Sequence, residues 1–282
     1  MKRIFSLILL WLPVSRVLAQ PAAEEPAVAD TKYIPLEKTI LYKLGDNTVP
    51  LKLTRYGPGN TSFCINVHDN EQTAVQAARA VLEAKGGTLL RIENNRQRII
   101  RFRFRGNLYA FDPNRIFSRT GIEQSLKENG RVTPAAVAEV EKLGQRILEL
   151  VPDSINCIIA LHNNTEEAYS VNSYLPKGDR HKDAREVHRA EDQDVDDIAF
   201  TTDEELYRQM AAAGYNAILQ DNTAVKRDGS LSVYCGEHKR RYINIETQHG
   251  KTGQYQEMLE RLLKILAEEN KKSSPHNGED LQ

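Results

Sequence analysis

The sequence predicts an α/β sandwich with a central mixed β-sheet, and three observations carry that reading. Strand-like and helix-like stretches alternate along the chain. Several apolar strand-like runs end on a histidine or a glutamate, and open α/β sheets gather their functional residues at such strand ends. Composition is that of an ordinary globular chain: 282 residues, 40% hydrophobic, 27% charged and a net charge of -1. Those values point away from disorder and from a nucleic-acid partner.

At the start, Lys2 and Arg3 precede an apolar run from Ile4 to Val14, and Val17-Leu18-Ala19 follows. A basic n-region, a short apolar core and a small-residue cleavage site read as a secretory signal peptide over residues 1–19, cleaved near Ala19. The expected location is secreted or periplasmic. The run is shorter than the ~20 residues of a membrane span, and Pro13 and Arg16 interrupt it. No later segment is apolar for long enough, so stable membrane insertion of the mature chain is not expected. Residues 20–31, rich in Pro, Ala and Glu, read as a flexible leader; 32–268 as one catalytic domain; and 269–282, polar throughout, as a frayed tail.

Within the domain, Phe63 to Val67 reads as a strand and Glu71 to Ala84 as a helix stopped by Gly86-Gly87. Thr88 to Ile92 and Ile99 to Phe104 read as strands, the second alternating Arg with apolar residues. Ala135 to Leu150 is a predicted helix, Ile155 to Leu161 a buried strand, Asp203 to Ala213 a helix and Asn216 to Leu219 a strand. Ser230 to Tyr234 and Arg241 to Ile245 read as a hairpin joined through Gly236, and Gln254 to Glu268 as the last helix. The charged stretch Lys177 to Asp197 reads as a solvated loop or exposed insertion. Cys64, Cys157 and Cys235 are too few for a disulfide framework, and three buried thiols are favoured over one disulfide with a free thiol.

The chemistry begins at Asn66-Val67-His68-Asp69-Asn70-Glu71, where an imidazole and a carboxylate stand three residues apart between strand and helix. A second imidazole ends an apolar strand in Ala160-Leu161-His162-Asn163-Asn164-Thr165. Two histidines and one carboxylate leave a fourth coordination position open, the arrangement of a catalytic rather than a structural zinc. By itself H-x-x-E is a common pattern, and structural histidines at strand ends are its plain reading. Two further segments add weight. Asp112-Pro113-Asn114-Arg115-Ile116-Phe117 sets an amide beside a guanidinium, suited to a two-pronged grip on a carboxylate. Ile243-Asn244-Ile245-Glu246 places a carboxylate at the end of a late strand, where it can act as general base outside the ligand set.

In this order HDNE, DPNRIF, LHNNT and NIETQHG resemble the aspartoacylase and succinylglutamate desuccinylase family, and more distantly the zinc carboxypeptidases of the same fold. The resemblance spans Asn66 to Gly250. It implies a zinc carboxypeptidase-like three-layer sandwich, one zinc ion on His68, Glu71 and His162, a substrate-carboxylate clamp at Asn114 and Arg115, and Glu246 as general base and acid. It also implies an upstream arginine that polarises the scissile carbonyl. Arg101, Arg103 and Arg105 all lie in the right stretch, and Arg105 is preferred, with a solvated strand face as the alternative for all three. His249, three residues after Glu246, is a candidate substrate contact. Asn163 and Asn164 are read either as substrate-orienting groups or as turn formers.

One departure matters. Aspartoacylases carry a β-rich cap after the catalytic glutamate, whereas 36 residues follow Glu246 here. The expected function is therefore that of an exported zinc metallohydrolase of amide bonds, of carboxypeptidase or amidase type, acting on a peptide or peptidoglycan fragment with a free carboxylate. The alternatives are a deacylase of small N-acyl amino acids and a non-catalytic binder of carboxylated or muropeptide ligands.

Overall fold

The computed structural model describes residues 32–57, 62–165 and 169–273; the expected signal peptide and leader lie outside them, as do residues 274–282 of the expected tail. The strands and helices run β1 (Pro35–Leu44), β2 (Asn47–Tyr56), β3 (Phe63–Asn66), α1 (Gln72–Lys85), β4 (Gly87–Ile92), β5 (Ile100–Phe104), β6 (Asn107–Phe111), α2 (Arg119–Glu128), α3 (Pro134–Glu149), β7 (Ile158–Asn164), β8 (Ala184–His188), β9 (Ile198–Thr201), α4 (Glu204–Ala212), β10 (Asn216–Gln220), α5 (Leu231–Glu237), β11 (Tyr242–Gln248) and α6 (Thr252–Ser273).

Nine strands form one mixed sheet in the order β1-β2-β4-β3-β7-β11-β9-β10-β8, and β5 and β6 form a separate antiparallel pair. Strands β4, β3, β7 and β11 are parallel neighbours. Consecutive residues of the central strands enter opposite cores: Ile158 and Ala160 pack on one side, Ile159 and Leu161 on the other. That is why these strands read as unbroken apolar runs rather than alternating ones. One core is closed by α2, α3 and α5, the other by α1, α4 and α6, so the fold is the three-layer sandwich expected. From β3 the chain crosses through α1 to β4 on one flank, while β7 pairs on the other flank. The order of strands thus reverses beside β3, and a crevice opens at the carboxyl ends there.

Three expectations are corrected. Residues 231–237 form helix α5 rather than a hairpin strand. Leu231 and Cys235 share the core at helical spacing, and the Tyr234 and His238 rings stack four residues apart at 4.0 Å. The charged stretch from Lys177 is not simply an exposed insertion. It supplies β8, the sheet edge paired with β10, and ends on the buried Asp196 and Asp197. Helix α6 runs on to Ser273, so the tail expected from 269 begins as helix. The β1–β2 hairpin went unassigned because β1 is largely exposed on both faces, which leaves no clean period to read. It turns at Gly45-Asp46, where Gly45 has φ +55° and a Cβ would meet the Arg103 carbonyl oxygen at 2.4 Å. All three cysteines are buried thiols.

Candidate metal and catalytic site

Each site residue is carried to the crevice by its strand. β3 leaves the sheet after Asn66, whose Nδ2 donates to the Leu161 carbonyl at 3.0 Å and so pins the exit against β7. A turn closed by the Glu71 N–H on the His68 carbonyl (3.1 Å) brings His68 and Glu71 to one side before α1 begins. His162 lies within β7 and is the register partner of Glu246 on β11. Asn163 accepts from the Ala74 N–H at 3.0 Å, satisfying a free donor at the start of α1, and donates to the Thr247 carbonyl at 3.2 Å. Asn164 donates to the carbonyls of Tyr169 and Asp196. Both asparagines therefore tie backbone together, although each also touches the cavity. Behind the sheet, the buried Tyr255 hydroxyl accepts from the His162 N–H and donates to the Ile245 carbonyl at 2.6 Å. This clamps the histidine strand to the glutamate strand.

The candidate ligands converge. Nδ1 of His68 and Nδ1 of His162 stand 3.2 Å apart, and the Glu71 carboxylate lies 2.9 Å from each. Ligand atoms at 2.0–2.2 Å around a tetrahedral ion are about 3.4 Å from one another. Among the described residues this is the one group of His, Cys, Asp and Glu side chains close enough to hold a metal. His68, Glu71 and His162 are all buried. Donor chemistry and spacing fit a zinc ion.

A second layer of side chains fixes the first. His68 Nε2 bonds to Asp112 Oδ1 at 2.7 Å, the carboxylate partner that orients a ligating imidazole. The same Asp112 oxygen accepts from the Asn114 N–H at 2.8 Å. Arg98 donates to Glu71 at 2.9 Å and to the other Asp112 oxygen at 3.3 Å. Asp69, although inside the HDNE motif, points elsewhere: it takes Arg91 at 3.1 Å and the N–H groups of Asn94 and Arg96. Asp112→Asn is expected to weaken zinc binding by roughly 10–100-fold, read by competition with a chromogenic chelator. Unchanged affinity would deny Asp112 its orienting part.

Electrostatics separate the two glutamates. Burial works to raise the Glu71 pKa, but the imidazoles of His68 and His162 outweigh it and hold that carboxyl well below the usual range. Glu246 is pushed up to about 8 by burial and by the negative charge of Glu71; a hydrogen bond from Asn244 Nδ2 at 3.0 Å opposes this only in part. One carboxylate stays ionised beside the imidazoles, and the other is poised to exchange a proton near neutral pH.

Glu71, His162 and Glu246 line a cavity of about 470 Å³, and Asn114, Arg115 and His249 stand on its walls. Asn114 Oδ1 accepts from the Leu231 N–H at 3.1 Å, and Arg115 faces Asp228 at 3.4 Å. The three arginines named from sequence do not join them. Arg105 sits in the β5–β6 turn at φ +51°, exposed, with its guanidinium over the Phe104 ring, and Arg101 and Arg103 are exposed on β5. Arg98 is the cavity arginine nearest the ligands. The β5–β6 hairpin separates it from Asp112 along the chain and hides the proximity. Tyr169 and Tyr174, which the sequence reading left unassigned, also reach the cavity, as does Arg180 from the stretch it read as solvated.

No protein-family profile and no curated protein matches the chain. Solved structures do resemble it. An aspartoacylase family protein of Mesorhizobium loti aligns at 12% identity and a TM-score of 0.44, over 83% of this chain and 67% of that one. Thrombin activatable fibrinolysis inhibitor aligns at 11% identity and a TM-score of 0.46, over 82% and 69%. A cell shape determinant protein of Helicobacter pylori, crystallised with a tripeptide, aligns at 10% identity and a TM-score of 0.44, over 77% and 55%. This chain spans about two thirds of the length of the first two and just over half of the third.

Proposed function

We propose that the chain is an exported, zinc-dependent hydrolase of amide bonds in a substrate with a free carboxylate, of carboxypeptidase or amidase type. The observation that carries this reading is the meeting of Glu246, a buried carboxylate outside the ligand set, with the His68–Glu71–His162 cluster at one cavity. Zinc held by those three side chains supplies Lewis-acid polarisation of a water and of the scissile carbonyl. Glu246 takes the proton from the attacking water and passes it to the leaving amine. Arg98, at the cavity wall beside Glu71, offers positive charge where the carbonyl oxygen turns anionic. The wall bearing Asn114, Arg115 and His249 holds the rest of the substrate.

A cavity of this size suits a short peptide, and the expected signal peptide favours a cell-wall or other extracytoplasmic source over a cytoplasmic metabolite. The test is zinc analysis of the purified protein, followed by a panel that sets N-acyl amino acids against peptides and peptidoglycan fragments with free or blocked carboxylates. Cleavage of peptide amides in the zinc-loaded form is expected. A folded protein that takes up no zinc and cleaves none of them defeats the reading; preference for acyl-amino acids would move it to a small-molecule deacylase.

A further inference from the structure

Four cations line the cavity: Arg98, Arg115, Arg180 and Lys226. Arg98 is held by Glu71 and Asp112, Arg115 by Asp228, and Lys226 is exposed. Arg180 differs. It is half-buried, its guanidinium lies over the Tyr169 ring at 5.1 Å, and it makes no ion pair among the described residues. Asp179 and Asp183 act on it only from beyond ion-pair distance, so this partly desolvated guanidinium keeps its two-pronged donor edge for a ligand anion.

The backbone fixes Arg180 in place. Its N–H donates to the Ser173 carbonyl at 2.9 Å, and its own carbonyl accepts from Asp183 at 2.9 Å. At Gly178, inside this turn, a Cβ would meet the Ser173 carbonyl oxygen at 2.2 Å, so the turn closes only around glycine. Beside it, the hydroxyls of Tyr169 and Tyr174 bond to each other, and the Tyr174 ring packs on Phe200 at 5.4 Å. One hydroxyl proton serves the pair and the other is left to donate outward. Guanidinium and phenol together form a rigid donor array on the cavity wall.

We propose that Arg180, seconded by the Tyr169–Tyr174 pair, is the group that binds the substrate's free carboxylate, and that Arg115 is committed to Asp228. This rests on the hydrolase reading above and moves its carboxylate clamp to a different element of the fold. The test compares N-acetyl-alanyl-alanine with its C-terminal amide. Zinc-loaded wild type cleaves the acid in preference to the amide. Arg180→Met lowers kcat/KM for the acid by about 10–100-fold, chiefly through KM, and lowers that for the amide far less, so the acid preference is lost. Arg180→Lys falls between. If Arg180→Met does not fold, Arg180→Gln is read the same way. A variant that keeps the acid preference, or loses acid and amide activity alike, overturns the assignment. If wild type cleaves neither compound, the hydrolase reading is judged on the wider panel above, and calorimetric titration of both compounds into wild type and variant decides Arg180 by itself. Tighter binding of the acid that vanishes in the variant supports it, and equal binding overturns it.

Discussion

Glu246→Gln is expected to lower kcat by roughly 10³-fold while one equivalent of zinc stays bound. Gln keeps the shape of the side chain and can still accept the Asn244 hydrogen bond, so strand β11 has no reason to move. What it loses is the proton. Glu246 is not among the residues that converge on the candidate metal position, so zinc content should match wild type. Full residual turnover would remove Glu246 from the mechanism. The same variant tests the electrostatics. A carboxyl raised to about 8 favours the folded state while protonated. Its contribution is complete below the unfolded value near 4.5 and is lost as pH rises through 8. Chelator-treated wild type should therefore lose stability to urea between pH 5 and 8, relative to Glu246→Gln, by a few kcal/mol. Parallel profiles for the two proteins would contradict the buried, raised carboxyl.

His162→Ala should be as severe by another route. It removes one of three converging donors and leaves Glu71 with its remaining partners, His68 and Arg98. Zinc affinity should fall by more than the roughly 100-fold assigned to losing an orienting neighbour, and turnover should disappear with it. The readout is thermal. Wild type at a zinc concentration about 1,000 times its Kd gains about 4 kcal/mol over the chelated form, and the variant, its affinity down by more than about 100-fold, gains less than about 1.4 kcal/mol. One tightly held equivalent of zinc in His162→Ala would show that the ion sits elsewhere.

Much of the site was legible because its residues terminate apolar strands. His68, His162 and Glu246 each follow or end a run whose alternate residues fill the two cores, and parallel pairing brings such ends together. Other residues were hidden for physical reasons. Arg98 reaches the ligands only because the β5–β6 hairpin folds away between it and Asp112, and linear spacing carries no trace of that excursion. Arg180 sits in the charged stretch from Lys177 that composition marked as surface, and Tyr169 and Tyr174 precede it in a short segment with no period to read. Helix α5 was misread because Val233 and Tyr234 favour strands locally, while Leu231 and Cys235 are held at helical spacing by tertiary packing.

Asp112 touches both halves of this site. One oxygen holds His68 and the N–H of Asn114, and the other holds Arg98. Occupancy of the cavity wall and occupancy of the metal position are then thermodynamically linked, because each narrows the freedom of the same carboxylate. Linkage is reciprocal. A ligand seated against the Asn114 and Arg98 wall should raise the affinity for zinc by the same factor by which zinc raises the affinity for the ligand, and Asp112→Asn should shrink both factors together.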